Sequence, residues 1–164
     1  VVYGVNSKFL LDRFAEKPWS ARLQRPIMKN VVRVDRNFDE PLPPEAKDLD
    51  AIFIVLFYHD FVWQKVDRKK LDQNLLAALK PGGELIIVDH SAAAGHGLND
   101  VETFHRIEEP SLVNELTAAG FVKDAEADFL RNPKDTRDWN DSPHAAADRR
   151  GTSDRFVIRF KKPA

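Results

Sequence analysis

The sequence contains no cysteine. A disulfide framework and a thiolate zinc site are therefore excluded, and a reducing compartment such as the cytoplasm fits the composition. Net charge is nearly absent as well, 25 Lys and Arg standing against 26 Asp and Glu. A chain without a net field does not steer a polyanion, so nucleic acid is not the expected partner. No apolar run reaches the ~18–20 residues of a membrane span, and no membrane partner is expected. The HxH and HExxH spacings are missing too. Asp89, His90, His96, Asp100 and His105 are ligand types, but without ligand spacing they point to no metal ion.

What is present is one domain's worth of ordered chain: 164 residues, 43% of them hydrophobic. Val1 to Val5 is a short β-branched run. Asn6-Ser7 then offers capping side chains ahead of KFLLDRFAEK, where Phe9, Leu10 and Phe14 recur at helical spacing. Pro18 and Pro26 are expected to break the next segment. NVVRVD reads as a strand, and three prolines keep RNFDEPLPPEAKD irregular. LDAIFIVLFYHDFVW, the most apolar run, reads as a strand buried on both faces with Tyr58-His59-Asp60 as its polar exit. Asp67 caps a helix carrying Leu71, Leu75, Leu76 and Leu79, which Pro81-Gly82-Gly83 ends. GELIIVDH is the next buried strand and SLVNELTAAG a helix closed at Gly120. Strands around Val122 to Asp128 and in RFVIRFKK flank a long polar stretch.

Strands alternating with helices predict an α/β fold, Rossmann-like, with a mostly parallel sheet, helices on both faces and an antiparallel strand pair at the carboxyl end. Ligands in such sheets bind outside the carboxyl ends of the strands. Asn6, Asp35, Tyr58-His59-Asp60 and the loop after Val88 fall on that rim. His59 and His90 are either general bases, since an ordinary histidine titrates near neutrality, or walls of the pocket. His105-Arg106 either faces substrate or packs on the sheet end. Arg131, Arg137, Arg149 and Arg150 surround Trp139 in a pattern suited to anions. The interleaved Asp135, Asp138, Asp141 and Asp148 favour a solvated, self-paired loop instead, long enough to act as a lid or an oligomer contact.

LLAALKPGGELIIVDH, the preceding LDAIFIVLFYHD, the AAGF turn and the closing DRFVIRF strand resemble, in that order, the later half of class I S-adenosylmethionine-dependent methyltransferases. Within them the likeness is to a bacterial group with a VDHSA-like strand end. It covers nearly the whole chain but begins at what would be the second strand. The resemblance therefore implies that the first strand and its glycine-rich cofactor turn are absent, that 1–164 is a single domain incomplete at its amino end, and that an edge lies open beside the Ala51 strand. It implies S-adenosylmethionine as cofactor, with Asn6 at the ribose, Asp35 at the adenine and Phe57 of LFYHD beside the methyl group. Asn6 stands where many members carry an acidic residue, and an amide accepts through one atom while donating through the other. Tyr58, His59 and His90 are expected together on the acceptor side. A small molecule is the implied acceptor, and a second copy of the chain is a candidate for the open edge. Two other readings fit the residues. One is a non-catalytic α/β binding or assembly module; the other is a Rossmann-type oxidoreductase, which the missing turn and the antiparallel finish disfavour.

Overall fold

The computed structural model describes residues 1–164. Strand β1 (Val2–Asn6) passes through Ser7, whose hydroxyl accepts from the Leu10 amide at 3.3 Å, into helix α1 (Lys8–Leu10). A π turn over Leu11–Ala15 follows, and α2 (Glu16–Leu23) runs straight through Pro18. The expected break is absent for a physical reason. Pro18 is the third residue of a segment restarted after the π turn, where an amide hydrogen has no partner within that segment to lose. Trp19 of α2 lies on Gly4, and a β-carbon there would meet the indole at 2.8 Å, so glycine is what lets helix and strand approach.

β2 (Val31–Asp35) pairs in parallel with β1 and sets Asn6 opposite Asp35. After the proline-rich loop comes β3 (Leu49–Val55), which ends at Leu56 in a left-handed turn with φ 53°. Tyr58–Trp63, expected as the exit of the strand, forms helix α3. Asp67 accepts from the Lys70 amide at 3.0 Å and caps α4 (Arg68–Ala78). β4 (Leu79–His90) already includes Pro81-Gly82-Gly83, which is a bulge within the strand: Leu49 faces Leu79, but Ala51 faces Glu84. The chain continues through α5 (Val101–Phe104), α6 (Glu109–Ala119), β5 (Val122–Ala127) and β6 (Arg155–Lys161). No helix is long and apolar enough to cross a membrane.

The α/β architecture and its antiparallel finish are as expected. Strands run in the order β3-β4-β6-β5, with β3 parallel to β4 and β6 antiparallel to both its neighbours. Because β6 inserts between β4 and β5, antiparallel pairings equal parallel ones. Register aligns Ile52, Leu85 and Phe160 in one row and Ile54, Ile87 and Ile158 in the next. Leu71 and Leu75 of α4 and Leu112 and Leu116 of α6 join these rows in one core.

β1 and β2 stand apart as a separate two-stranded sheet. Between β1 and β3 lies a cleft of about 550 Å³, walled by Val1 to Asn6 and by Ala51 to Val55, with Phe38, Leu42, Leu71 and Leu75 beneath. Here the β3 strand departs from the expectation of burial on both faces: Phe53 is 67% and Val55 54% exposed. Nothing in the chain pairs with the outer edge of β3.

Candidate functional site

Side chains alternate along β4, so Asp89 points to the same side as Leu85 and Ile87 and enters the core with them. It is fully buried and fully used. Oδ2 accepts from the His59 amide at 2.9 Å, Oδ1 from the His90 amide at 2.8 Å, and Oδ1 also lies 2.6 Å from His59 Nδ1. One carboxylate thus ties the start of α3 to the end of β4. On the other side of the ring, His59 Nε2 is 3.3 Å from Asp60 Oδ1. The same oxygen lies 3.3 Å from His105 Nδ1 and accepts from the Trp63 indole at 2.5 Å.

These neighbours decide the charge. Burial by itself would lower the His59 pKa, but the Asp89 and Asp60 carboxylates outweigh it and raise the value to about 10. At neutral pH His59 is an imidazolium. Burial would raise Asp60, yet hydrogen bonds from His105, His59 and Trp63 hold its carboxyl well below the usual carboxylate range.

The His90 ring lies 5.6 Å from that of His59. Its Nδ1 is 2.9 Å from Ser153 Oγ and 2.5 Å from Asp141 Oδ2. Both partners come from the long polar stretch between β5 and β6, which sequence reasoning did not connect to the site. That stretch is self-paired and mostly exposed, as expected, but Trp139, Asp141, Ser153 and Asp154 within it are buried. Arg106 is fully buried, donates to Asp135 at 2.7 Å and to the Ser91 carbonyl at 3.0 Å, and stacks 4.6 Å from the Trp139 ring. Arg137 donates to Asp154 at 2.8 Å. The segment is therefore anchored across the ends of β4 and β6, where it presents Asp141 and Ser153 to His90.

Tyr58 requires a correction. It is fully buried, and its hydroxyl donates to Asp72 of α4 at 2.9 Å, away from the histidines. Consecutive residues at the start of a helix point about 100° apart, so Tyr58 enters the core while His59 meets Asp89. Burial, with Asp72 and Glu115 nearby, pushes the phenol far above its ordinary pKa and keeps it a proton donor. His96, another candidate, pairs with Asp100 at 2.8 Å and is half-exposed.

Away from the histidines, Asn6 and Phe57 border the β1–β3 cleft. Asp35 is adjacent to Asn6 in register, but its carboxylate is gripped by Arg33 at 2.8 and 2.9 Å, and Arg33 also donates to Glu16 at 2.6 Å. The cleft walls are apolar strand edges with few polar side chains. Asn6 offers the cleft one amide that can both accept and donate, and the apolar walls supply no cradle for a charged amino-acid end.

No family model and no curated protein matches the sequence. Solved structures do. An S-adenosylmethionine-dependent methyltransferase from Methanosarcina mazei superposes with a TM-score of 0.62 at 14% identity, over 98% of this chain and 80% of that one. The glycopeptide N-methyltransferase MtfA, complexed with S-adenosylhomocysteine, gives 0.59 at 14% identity over 90% of this chain and 68% of that one. The N-methyltransferase NodS from Bradyrhizobium japonicum gives 0.55 at 12% identity, over 96% of this chain and 70% of that one. The chain therefore has the fold of the class I S-adenosylmethionine-dependent methyltransferases.

Proposed function

We propose that this chain carries the acceptor side of a methyltransferase domain that moves a methyl group from S-adenosylmethionine to a small molecule. The observation that carries the reading is the pair of carboxylate-held histidines, His59 on Asp89 and His90 on Asp141, set at the carboxyl ends of the strands in a methyltransferase fold. Ligands in open α/β sheets are taken at that rim. The two rings have different work. His59, held as a cation between Asp89 and Asp60, orients an acceptor or steadies negative charge on it. In its neutral form His90, with Nδ1 protonated between Ser153 Oγ and the Asp141 carboxylate, turns the Nε2 lone pair toward a proton of the acceptor. Methyl transfer depends chiefly on in-line placement, so modest help from such a base is enough.

Asn6 is assigned to the ribose and Phe57 to the neighbourhood of the methyl group, with Asp35 a contributor on the adenine side only if Arg33 releases it. Cofactor affinity in this reading depends on a strand between β1 and β3 that brings a backbone turn to the rim. Titration calorimetry with S-adenosylhomocysteine decides the matter, on the chain alone and on a form with a further amino-terminal strand and glycine turn. Weak or no binding by the first and clear binding by the second is expected. In the second form, His59→Ala or His90→Ala should lower turnover with cofactor affinity within a few fold, because both act on the acceptor. Equal losses in cofactor affinity would put them on the wrong side of the pocket. If the longer form also fails to bind, the alternative stands: a non-catalytic α/β module, favoured by the open apolar cleft and the ion-paired Asp35.

A further inference from the structure

We propose that His59, Asp60 and His105 form a binding site for a borderline divalent cation of the zinc type, open to one exchangeable ligand. The proposal goes beyond methyl transfer and does not depend on it. The three side chains come from two places 45 residues apart in sequence, the first turn of α3 and the end of α5. Their ligand atoms all lie within 4.8 Å of one another. His59 Nε2 and His105 Nδ1 are each 3.3 Å from the same Asp60 oxygen. Ligand bonds of ~2.0–2.1 Å in a tetrahedron place neighbouring donor atoms about 3.4 Å apart, so a cation entering between these groups needs little movement of them.

The surrounding shell is of the kind that makes imidazole a ligand. Asp89, fully buried, holds His59 Nδ1 at 2.6 Å, which fixes that nitrogen as the donor and aims Nε2 at Asp60. A carboxylate behind a histidine raises its basicity and sets its orientation in metal centres. Asp60 is steadied from the far side by the Trp63 indole at 2.5 Å. Access is open on one side only: the His59 side chain is 4% exposed, while Asp60 is 19% and His105 26% exposed. Three protein ligands with a solvent-facing gap is the arrangement that leaves a coordination position for water or substrate. Two imidazoles with one carboxylate select zinc, cobalt, nickel or ferrous iron over magnesium or calcium, which prefer all-oxygen shells. Binding is balanced by release of the Nε2 proton of His59 to solvent as the cation takes its place.

Another histidine–carboxylate pair, His96 with Asp100, has no third ligand grouped with it and serves as a control. The test is titration of the chelator-treated chain with Co²⁺, read by visible absorption and calorimetry, with circular dichroism on every variant. One cobalt per chain, with the intense visible bands of a low-symmetry four- or five-coordinate site, is expected. His105→Ala and Asp60→Asn should each weaken binding at least tenfold, and His96→Ala should leave it unchanged. Folded wild type without those bands would overturn the proposal, leaving His59, Asp60 and His105 as a hydrogen-bonded triad only. So would binding that survives in both His105→Ala and Asp60→Asn, or that is lost in His96→Ala. Asp60→Asn keeps shape and one oxygen, so a folding failure of His105→Ala does not stop the test.

Discussion

The β3–β4–β6–β5 sheet and the β1–β2 pair are written in the same residues, short β-branched and apolar runs, yet they finish in opposite conditions. Leu85, Ile87, Phe156, Ile158 and Phe160 are completely buried, whereas Val2 is 51% and Val32 44% exposed. The difference is one of partners. Each strand between β3 and β5 in the first sheet is paired along both edges, and two helices cover it; the free edge of β1 and the outer edge of β3 face each other across an apolar cleft, and neither is paired. Polar groups follow the same division. On the closed side Asp89 and Asp141 reach histidines through a buried frame; on the open side Asp35 settles with an arginine at the surface. An apolar sequence run therefore specifies that a strand is to be buried, but burial is realised only where a neighbour arrives.

The largest effect that can break this contrast lies on the closed side. Asp89→Ala removes the acceptor of two backbone amides and of His59, leaving a buried cation with one partner fewer. Breaking a buried pair in this way costs about 3–5 kcal/mol, and a loss of that size is expected in urea unfolding. A loss below about 1 kcal/mol would mean that water reaches the histidine and that the closed side is less closed than its geometry.

A smaller effect comes from the same ring. The His59 pKa is raised from an ordinary 6.5 to about 10, so its contribution to stability is complete below the first value and is lost as pH rises through the second. In the presence of a chelator, the unfolding free energy should decline between these values, and His59→Gln should flatten the decline. A rise in stability over that interval would reverse the assigned charge.

Much of the closed side was legible in sequence. Asp67 and Gly120 mark helix ends through local chemistry, and the 84–90 run is apolar enough to mark a central strand, whereas the equally apolar 51–55 run ends up at the edge of the sheet. His59, Asp60 and His90 were legible as rim residues because the rim follows from strand direction. The partners that give them their properties were not. Asp141 lies 51 residues from His90 and Ser153 lies 63 away, inside a stretch whose interleaved charges read as solvated; only tertiary folding shows that these two of its residues are buried against the histidine. Pairing of His105 with Asp60 likewise leaves no local pattern. Tyr58 reads as part of a polar strand exit, but it begins a helix and turns into the core toward Asp72. The cofactor side was legible through resemblance alone, and the Arg33 grip on Asp35 has no sequence signature beyond alternation on β2.

The smallest expected effect is also the sharpest probe of the open side. Phe53 lies on the uncovered face, so Phe53→Ser in the chain as it stands should change stability by no more than about 0.5 kcal/mol, as surface substitutions do. Ile87→Ala, on the next strand and on the covered face, should cost about 2–5 kcal/mol by the same measurement. If a strand added ahead of Val1 occupies the cleft, the Phe53 side chain gains a neighbour and the same substitution should then cost more than about 1 kcal/mol. A large Phe53→Ser loss in the unmodified chain would instead mean that the face is already covered in solution. Concentration dependence of the unfolding midpoint then identifies the cover, because only a second copy of the chain makes stability rise with protein concentration.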